Sequence, residues 1–143
     1  MPNAPSRAGH LVLEHTAEAE LLVFAPSFEQ LLAEAARGLA GMIRPSAPAA
    51  ADWRSVRVQS VDEAALLIDW LNELLFIAET DNWVPLHFDE PVVERAPHAV
   101  SMQARVEGYR AGSVTTAVKA ATLHGVAIER DQGLVRARVI FDV

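Results

Sequence analysis

The segment from Ser60 to Glu79 constrains the fold of this 143-residue chain more than any other. Neither Gly nor Pro interrupts it, and Ser60 followed by Glu63 has the spacing of a capping box, so one helix is predicted. Apolar residues cover most of its circumference, as expected of a core helix buried against a sheet. We interpret the remaining polar stripe as a solvated back face. It consists of Asp62, Asp69, Asn72 and Glu73.

A second helix is predicted after Ser27, which can form a capping box with Gln30. Apolar residues then recur at i, i+3 and i+4 spacing as far as Ile43. This pattern gives the helix one broad apolar face for a sheet to cover. The residues of that face are Phe28, Leu31, Leu32, Ala35, Ala36, Leu39, Ala40 and Ile43.

Most of the remaining chain has the alternation or the short apolar runs typical of strands. The predicted strand segments are 11–14, 21–25, 53–59, 83–95, 99–107, 113–123, 126–130 and 134–143. Pro85 and Pro91 restrict segment 83–95 to an edge or irregular strand. In the last segment, alternation directs Phe141 and Val143 towards the core and Asp142 away from it.

Two helices among several short strands predict the α+β class. The simplest arrangement is a single two-layer domain, with both helices packed on one face of a mixed, mostly antiparallel sheet. Residues 1–9 are predicted to form a flexible tail and residues 10–143 the domain.

Composition narrows the classes of function. The chain has no Cys, and its 12 basic and 19 acidic residues give a net charge of −7. This charge disfavours phosphate neutralisation, so direct nucleic-acid binding is not expected. No apolar run is long enough for a membrane span, and the N-terminus lacks an apolar leader, so we expect a cytoplasmic protein without membrane contact. Nucleotide-loop, serine-hydrolase and zincin motifs are absent from the sequence.

Several residues that are distant in sequence could meet at one edge of the sheet, because strand ends and hairpin links gather there. These residues are His15, Glu18, Lys119, His124, Asp142 and Val143. The side chains of Glu18 and Asp142, with the terminal carboxylate of Val143, would suit a hard cation such as Ca²⁺ or Mg²⁺. Spacing alone does not show that these groups meet, so turn and solvent-exposed roles are the preferred interpretation of the residues taken by themselves.

Five segments, in order along nearly the whole chain, resemble the archease family. They are His15-Thr-Ala-Glu18, Phe28-Glu-Gln-Leu-Leu-Ala-Glu-Ala-Ala36, Asp69-Trp-Leu-Asn-Glu-Leu-Leu75, Val118-Lys-Ala-Ala-Thr-Leu-His124 and Val139-Ile-Phe-Asp-Val143. The resemblance implies a small cytoplasmic α+β protein that assists RNA ligases of the RtcB type in tRNA splicing and RNA repair. Such a protein promotes guanylylation and turnover of the ligase and is not itself an enzyme.

The resemblance also implies a site. The Asp of the family's H-T-A-D motif falls on Glu18, its last Asp on Asp142 and the adjoining contributor on Val143, which together would bind a divalent cation, typically Ca²⁺. The Lys of the V-K-A-x-T segment falls on Lys119. We therefore predict a metal site at Glu18, Asp142 and Val143, and activation of the partner by Glu18, Lys119 and Asp142. Glu18 is one methylene longer than the family's Asp.

Two other functions stay open. The chain could be a metal-dependent enzyme, with Glu18 and Asp142 as ligands and His15 or His124 as general base. It could also be a general chaperone-like binding module. The negative charge favours contact with a basic ligase over contact with RNA.

Overall fold

The computed structural model describes residues 7–14, 17–45 and 50–143. These residues form two helices, α1 (Phe28–Ala40) and α2 (Glu63–Asp81), and ten strands. The strands are β1 (Gly9–Glu14), β2 (Glu18–Ala25), β3 (Ile43–Pro45), β4 (Ala51–Ser60), β5 (Trp83–Phe88), β6 (Val92–Ala96), β7 (Ala99–Arg110), β8 (Val114–Thr116), β9 (Ala120–Asp131) and β10 (Leu134–Asp142).

The predicted α+β class, with two helices and mostly antiparallel strands, is confirmed. The structure adds that the strands divide into sheets. The first sheet has the order β1-β2-β10-β9, the second is β4-β7-β5 with β6 also paired to β7, and β3 and β8 form a short ribbon. Every pair among the described strands is antiparallel. Each helix contacts strands of both four-stranded sheets, so one hydrophobic core joins them.

Helix α2 is a core element, as its sequence predicts. Trp70 is fully buried, its Nε1 donates a hydrogen bond to the carbonyl oxygen of Leu32 at 2.9 Å, and its ring packs edge-on against Phe88. The indole ring is therefore buried among apolar groups, and its N–H has a hydrogen-bond acceptor. The other buried residues of α2 are Leu66, Leu67, Ile68, Leu71, Leu74, Leu75 and Ala78.

The start of α2 differs from the prediction. The capping residue is Asp62, whose carboxylate accepts a hydrogen bond from the Ala65 N–H at 2.8 Å. Ser60 is the last residue of β4, paired opposite Val100, and the helix begins only at Glu63, so Ser60 lies two residues before the cap. Its hydroxyl instead donates to Asp69 at 2.5 Å. Strand pairing thus displaces the local capping signal by two residues.

Helix α1 begins as predicted. Ser27 is the cap and accepts the Gln30 N–H at 3.1 Å. The helix ends at Ala40, earlier than the apolar periodicity suggests, because Ile43 enters β3 opposite Thr116.

Strand β9 contains an irregularity that matters for the outer face of the first sheet. Arg138 of β10 pairs with Ala127, whereas Ile140 pairs with Thr122, so residues 123–126 bulge out of register. Gly125 has φ +73° there, and a Cβ on it would lie 2.8 Å from Cδ1 of Ile140. The bulge therefore covers Ile140, which is buried although it points away from the core side of β10.

The division into a tail and a domain stays a prediction, since residues 1–6 lie outside the described part of the chain. Strand β1 begins at Gly9, the last residue assigned to the tail. Neither of the two helices combines the length and the apolar character that crossing a membrane would require, as far as the described residues go.

Candidate functional site

The centre of the candidate site is a pair of carboxylates on adjacent strands. Glu18 is the first residue of β2, Asp142 is the last residue of β10, and the two are direct register partners. Direct partners in an antiparallel pair have Cβ atoms about 4.5–5.5 Å apart. Both residues are exposed, and neither forms an ion pair or side-chain hydrogen bond with another described residue. Tertiary structure thus brings together two residues that are more than 120 positions apart in sequence.

Lys119 is held beside this pair through its backbone. Its N–H donates to the carbonyl oxygen of Asp142 at 2.7 Å. The preceding residue, Val118, is buried in the core, and the N–H of Ala117 donates to the Met42 carbonyl oxygen at 3.0 Å. The segment is therefore anchored on both sides, while Lys119 itself stays exposed.

Asn72 of α2 positions the start of β9, the strand that directly follows Lys119. Its Nδ2 donates to the carbonyl oxygen of Ala121 at 3.0 Å, and its Oδ1 accepts the Ala121 N–H at 2.8 Å. Ala121 in turn is the register partner of Phe141, next to Asp142. The interpretation of Asn72 as part of a solvated stripe is therefore wrong. Its side chain satisfies both backbone groups of an edge strand, which helical periodicity could not reveal.

Of the other predicted site residues, His124 and Val143 lie near the acidic pair, and the position of His15 is not described. His124 is exposed and lies in the β9 bulge, four residues beyond Ala120, the register partner of Asp142. Val143 follows Asp142, and its N–H donates to the Ala17 carbonyl oxygen at 3.4 Å. Its side chain is 41% exposed and does not join the core, contrary to the alternation of β10. His15 lies outside the described residues.

The electrostatics of the site fit a hard cation. Like charges directly opposite each other on adjacent strands are unfavourable, and a cation between Glu18 and Asp142 would relieve this repulsion. Carboxylate oxygens are the ligands that Ca²⁺ and Mg²⁺ prefer. Within the described ranges, however, no three His, Asp or Glu side chains cluster closely enough to hold a metal ion. A bound cation would need further oxygen atoms, from the Val143 carboxylate, backbone carbonyls or water.

Together, the fold and this sheet end define a small α+β protein with an exposed acidic pair beside a lysine. The model of the archease protein family matches residues 11–143, and the chain belongs to that family. It is 30% identical over 136 residues to the archease of Methanosarcina mazei, covering 92% of this chain and 93% of the relative. It is 32% identical over 131 residues to the archease of Methanothermobacter thermautotrophicus, covering 90% and 94%.

Two solved structures share the fold. The solution structure of protein 1598 of Methanobacterium thermoautotrophicum matches with a TM-score of 0.77 and 29% identity, over 94% of this chain and 99% of that protein. The crystal structure of an archease from Thermotoga maritima, described as a possible chaperone, matches with a TM-score of 0.61 and 22% identity, over 92% and 94%.

Proposed function

We propose that this protein is an activator of an RtcB-type RNA ligase, promoting guanylylation and multiple turnover in tRNA splicing or RNA repair, and that it is not itself an enzyme. The observation that carries the proposal is the register pairing of Glu18 with Asp142, next to Lys119, in a chain of the archease family. We place this activity in the cytoplasm.

The chemistry of the site supports contact with a ligase. An enzyme that binds RNA and a nucleotide must present cationic groups to their phosphates. The exposed carboxylates of Glu18 and Asp142 have no cationic partner among the described residues, so they are available to engage such groups. An activator that binds the nucleotide-accepting conformation of the ligase more tightly than other conformations shifts the ligase towards it.

A divalent cation, Ca²⁺ or Mg²⁺, is part of the proposal. Glu18, Asp142 and Val143 would hold it. When bound, its two positive charges would offset part of the charge of the three carboxylates, and the site would stay net negative, as contact with cationic groups of the ligase requires. The register pairing of Glu18 with Asp142 supports this proposal, because it holds the two carboxylates on adjacent strands with Lys119 next to Asp142.

Asp142→Asn tests the proposal, because Asn keeps the size of the side chain and removes its charge. Single-turnover guanylylation and multiple-turnover ligation by an RtcB-type ligase would be measured with equal amounts of wild-type and variant protein. We expect Asp142→Asn to abolish stimulation and Lys119→Ala to reduce it, with unchanged circular dichroism, since both residues are exposed. Asp89→Asn is the matched control, because Asp89 is an exposed carboxylate next to β5 and outside the site. Full stimulation by folded Asp142→Asn would reject the site.

The alternatives predict other results in the same assays. Phosphoester or nucleotide turnover by the purified protein alone would favour a metal-dependent enzyme. A general chaperone would protect unrelated unfolded proteins as well as it assists the ligase. Stimulation of one ligase, with no activity in its absence, supports the proposed activator.

A further inference from the structure

The outward face of the first sheet carries an exposed group of apolar side chains, which we call the β1–β2 patch. It consists of Leu11, Leu13, Leu22 and Phe24. Leu11 is 55% exposed, Leu13 37% and Phe24 36%, and Leu22 is half-buried. The buried residues of β2 alternate with Leu22 and Phe24 and face the core, so the patch lies on the opposite side of the strand.

The patch borders a groove of about 490 Å³. Leu11, Leu22 and Phe24 form its apolar side, and the β10 and β9 side chains Arg136, Arg138 and Glu129 form the other. The Phe24 ring packs closely over its register partner Gly9, where a Cβ would lie 2.7 Å from the ring. Contiguous apolar surface of this kind on a small protein marks an interaction site more often than isolated exposed residues do.

The patch and the acidic pair lie on the same face. Along β2, Glu18, Glu20, Leu22 and Phe24 point outward in turn, since the residues between them are buried. With a rise of about 3.3 Å per residue, Leu22 lies about 13 Å from Glu18 along the strand. One partner surface can therefore contact both the patch and the acidic pair.

The charges of this face favour a partner that is cationic at one end. Arg138 is paired with Glu20, and Arg136 lies 3.6 Å from Asp131. Glu18 and Asp142 have no such partner among the described residues. The face therefore presents a partly apolar half whose two arginines are paired and an acidic end, which complements an apolar surface beside a cationic cleft.

We propose that the β1–β2 patch is the docking surface for the RNA ligase, which it anchors so that the acidic pair reaches the ligase's cationic cleft. This inference rests on the function proposed above and divides it into two parts. The patch supplies affinity through buried apolar contacts, and Glu18 with Asp142 supplies activation.

A titration of ligase with activator separates these roles. Leu11→Gln/Leu13→Gln should raise the activator concentration for half-maximal stimulation about tenfold or more, because two leucine side chains would no longer be transferred from water into an apolar contact. The maximal rate at saturation should stay that of wild type. Asp142→Asn should show the reverse: it should not stimulate, but it should compete with wild type for the ligase with an inhibition constant within about threefold of the wild-type half-maximal concentration. Leu86→Gln is the matched control, since Leu86 is a similarly exposed leucine, 48%, on the second sheet.

Circular dichroism and thermal melting would establish that the variants fold. If the double variant does not, Leu11→Gln alone, at the more exposed position, takes its place in the same titration. An unchanged half-maximal concentration, with normal stimulation by wild type, would overturn the docking surface and leave the proposed function standing. No stimulation of an RtcB-type ligase by wild type would overturn both. A wild-type dimer that the patch variant converts to a monomer, measured by light scattering, would assign the patch to self-association and overturn ligase docking.

Discussion

At the scale of single residues, Glu63 connects three elements. It is the first residue of α2, and its Oε2 accepts hydrogen bonds from Arg95 of β6 at 2.7 Å and Arg130 of β9 at 2.8 Å. Partial burial of the Glu63 carboxylate opposes its ionisation, but the two arginines outweigh this effect, and the pKa of Glu63 is lowered. The same hydrogen bond raises the pKa of Arg130. One carboxylate thus joins a helix to both four-stranded sheets.

The lowered pKa of Glu63 predicts a pH dependence of stability. Ionised Glu63 stabilises the fold fully above its unfolded pKa of about 4.5, and this contribution is lost as the pH falls through the lower folded pKa. Glu63→Gln should therefore cost about 1 kcal/mol at neutral pH, a modest value because solvent screens both arginines. The difference from wild type should shrink as the pH falls below about 4. Urea unfolding at several pH values measures it.

Glu94→Gln is the control for this experiment, since Glu94 is an exposed residue of the same strand as Arg95. It should leave the free energy of unfolding nearly unchanged. A constant difference between Glu63→Gln and wild type at all pH values would show that the charge of Glu63 does not contribute.

At the scale of elements, α2 organises the core. Because the helix has both buried and exposed large apolar side chains, substitutions at the two kinds of position test this placement directly. Trp70→Ala or Leu71→Ala should cost about 2–5 kcal/mol, because each leaves a cavity that the surrounding sheets cannot close. Both residues are fully buried, whereas Phe76 on the same helix is 62% exposed. Phe76→Ala should therefore be close to neutral, and denaturant unfolding of the three variants measures the contrast. Equal costs at Trp70 and Phe76 would contradict this placement of the helix.

The bulge of β9 is the second element with a specific consequence. It lies next to the segment that carries Lys119, and Gly125 lets its backbone cross Ile140 at close range. The break between the predicted strands 113–123 and 126–130 falls at this bulge, so the sequence signals the irregularity. The sequence does not indicate that β9 pairs with β10 on both sides of the bulge as one strand. That pairing is seen only in the folded sheet.

At the scale of the whole molecule, Asp142 and the ion pair of Glu63 with Arg130 lie at opposite ends of the antiparallel pair that β9 forms with β10. Asp142 is the last residue of β10, whereas Arg130 lies near the end of β9, just before the turn that leads into β10.

The predicted cation site depends on the whole fold, because it requires β2, β10 and Val143 together. If Glu18, Asp142 and Val143 bind Ca²⁺, the cation should stabilise the native protein by about 2.7 kcal/mol at one hundred times its dissociation constant.

Thermal melting of metal-stripped protein with added Ca²⁺ or Mg²⁺ measures this gain. Asp142→Asn should remove most of the shift, while Asp89→Asn should retain it. No shift for wild type at millimolar cation would reject the metal site while leaving contact with a protein partner open to its own test.

Much of the fold follows from the sequence because its signals are local. The cap at Ser27, the apolar circumference of α2 and the alternation of β10 depend on residues within a few positions of one another. These patterns predict the class, both helices and most strands. The family resemblance pointed to Glu18, Lys119 and Asp142, which residue types alone left as solvent-exposed groups.

Tertiary structure decided the rest, because the deciding contacts join residues far apart in sequence. Strand pairing continues to Ser60, and the helix cap is therefore Asp62, two residues later. The folded sheet set Glu18 opposite Asp142, and Asn72 found its partner in Ala121, 49 positions away. A local pattern states which side of a strand or helix is apolar, but only the register of the assembled sheets determines which polar groups meet.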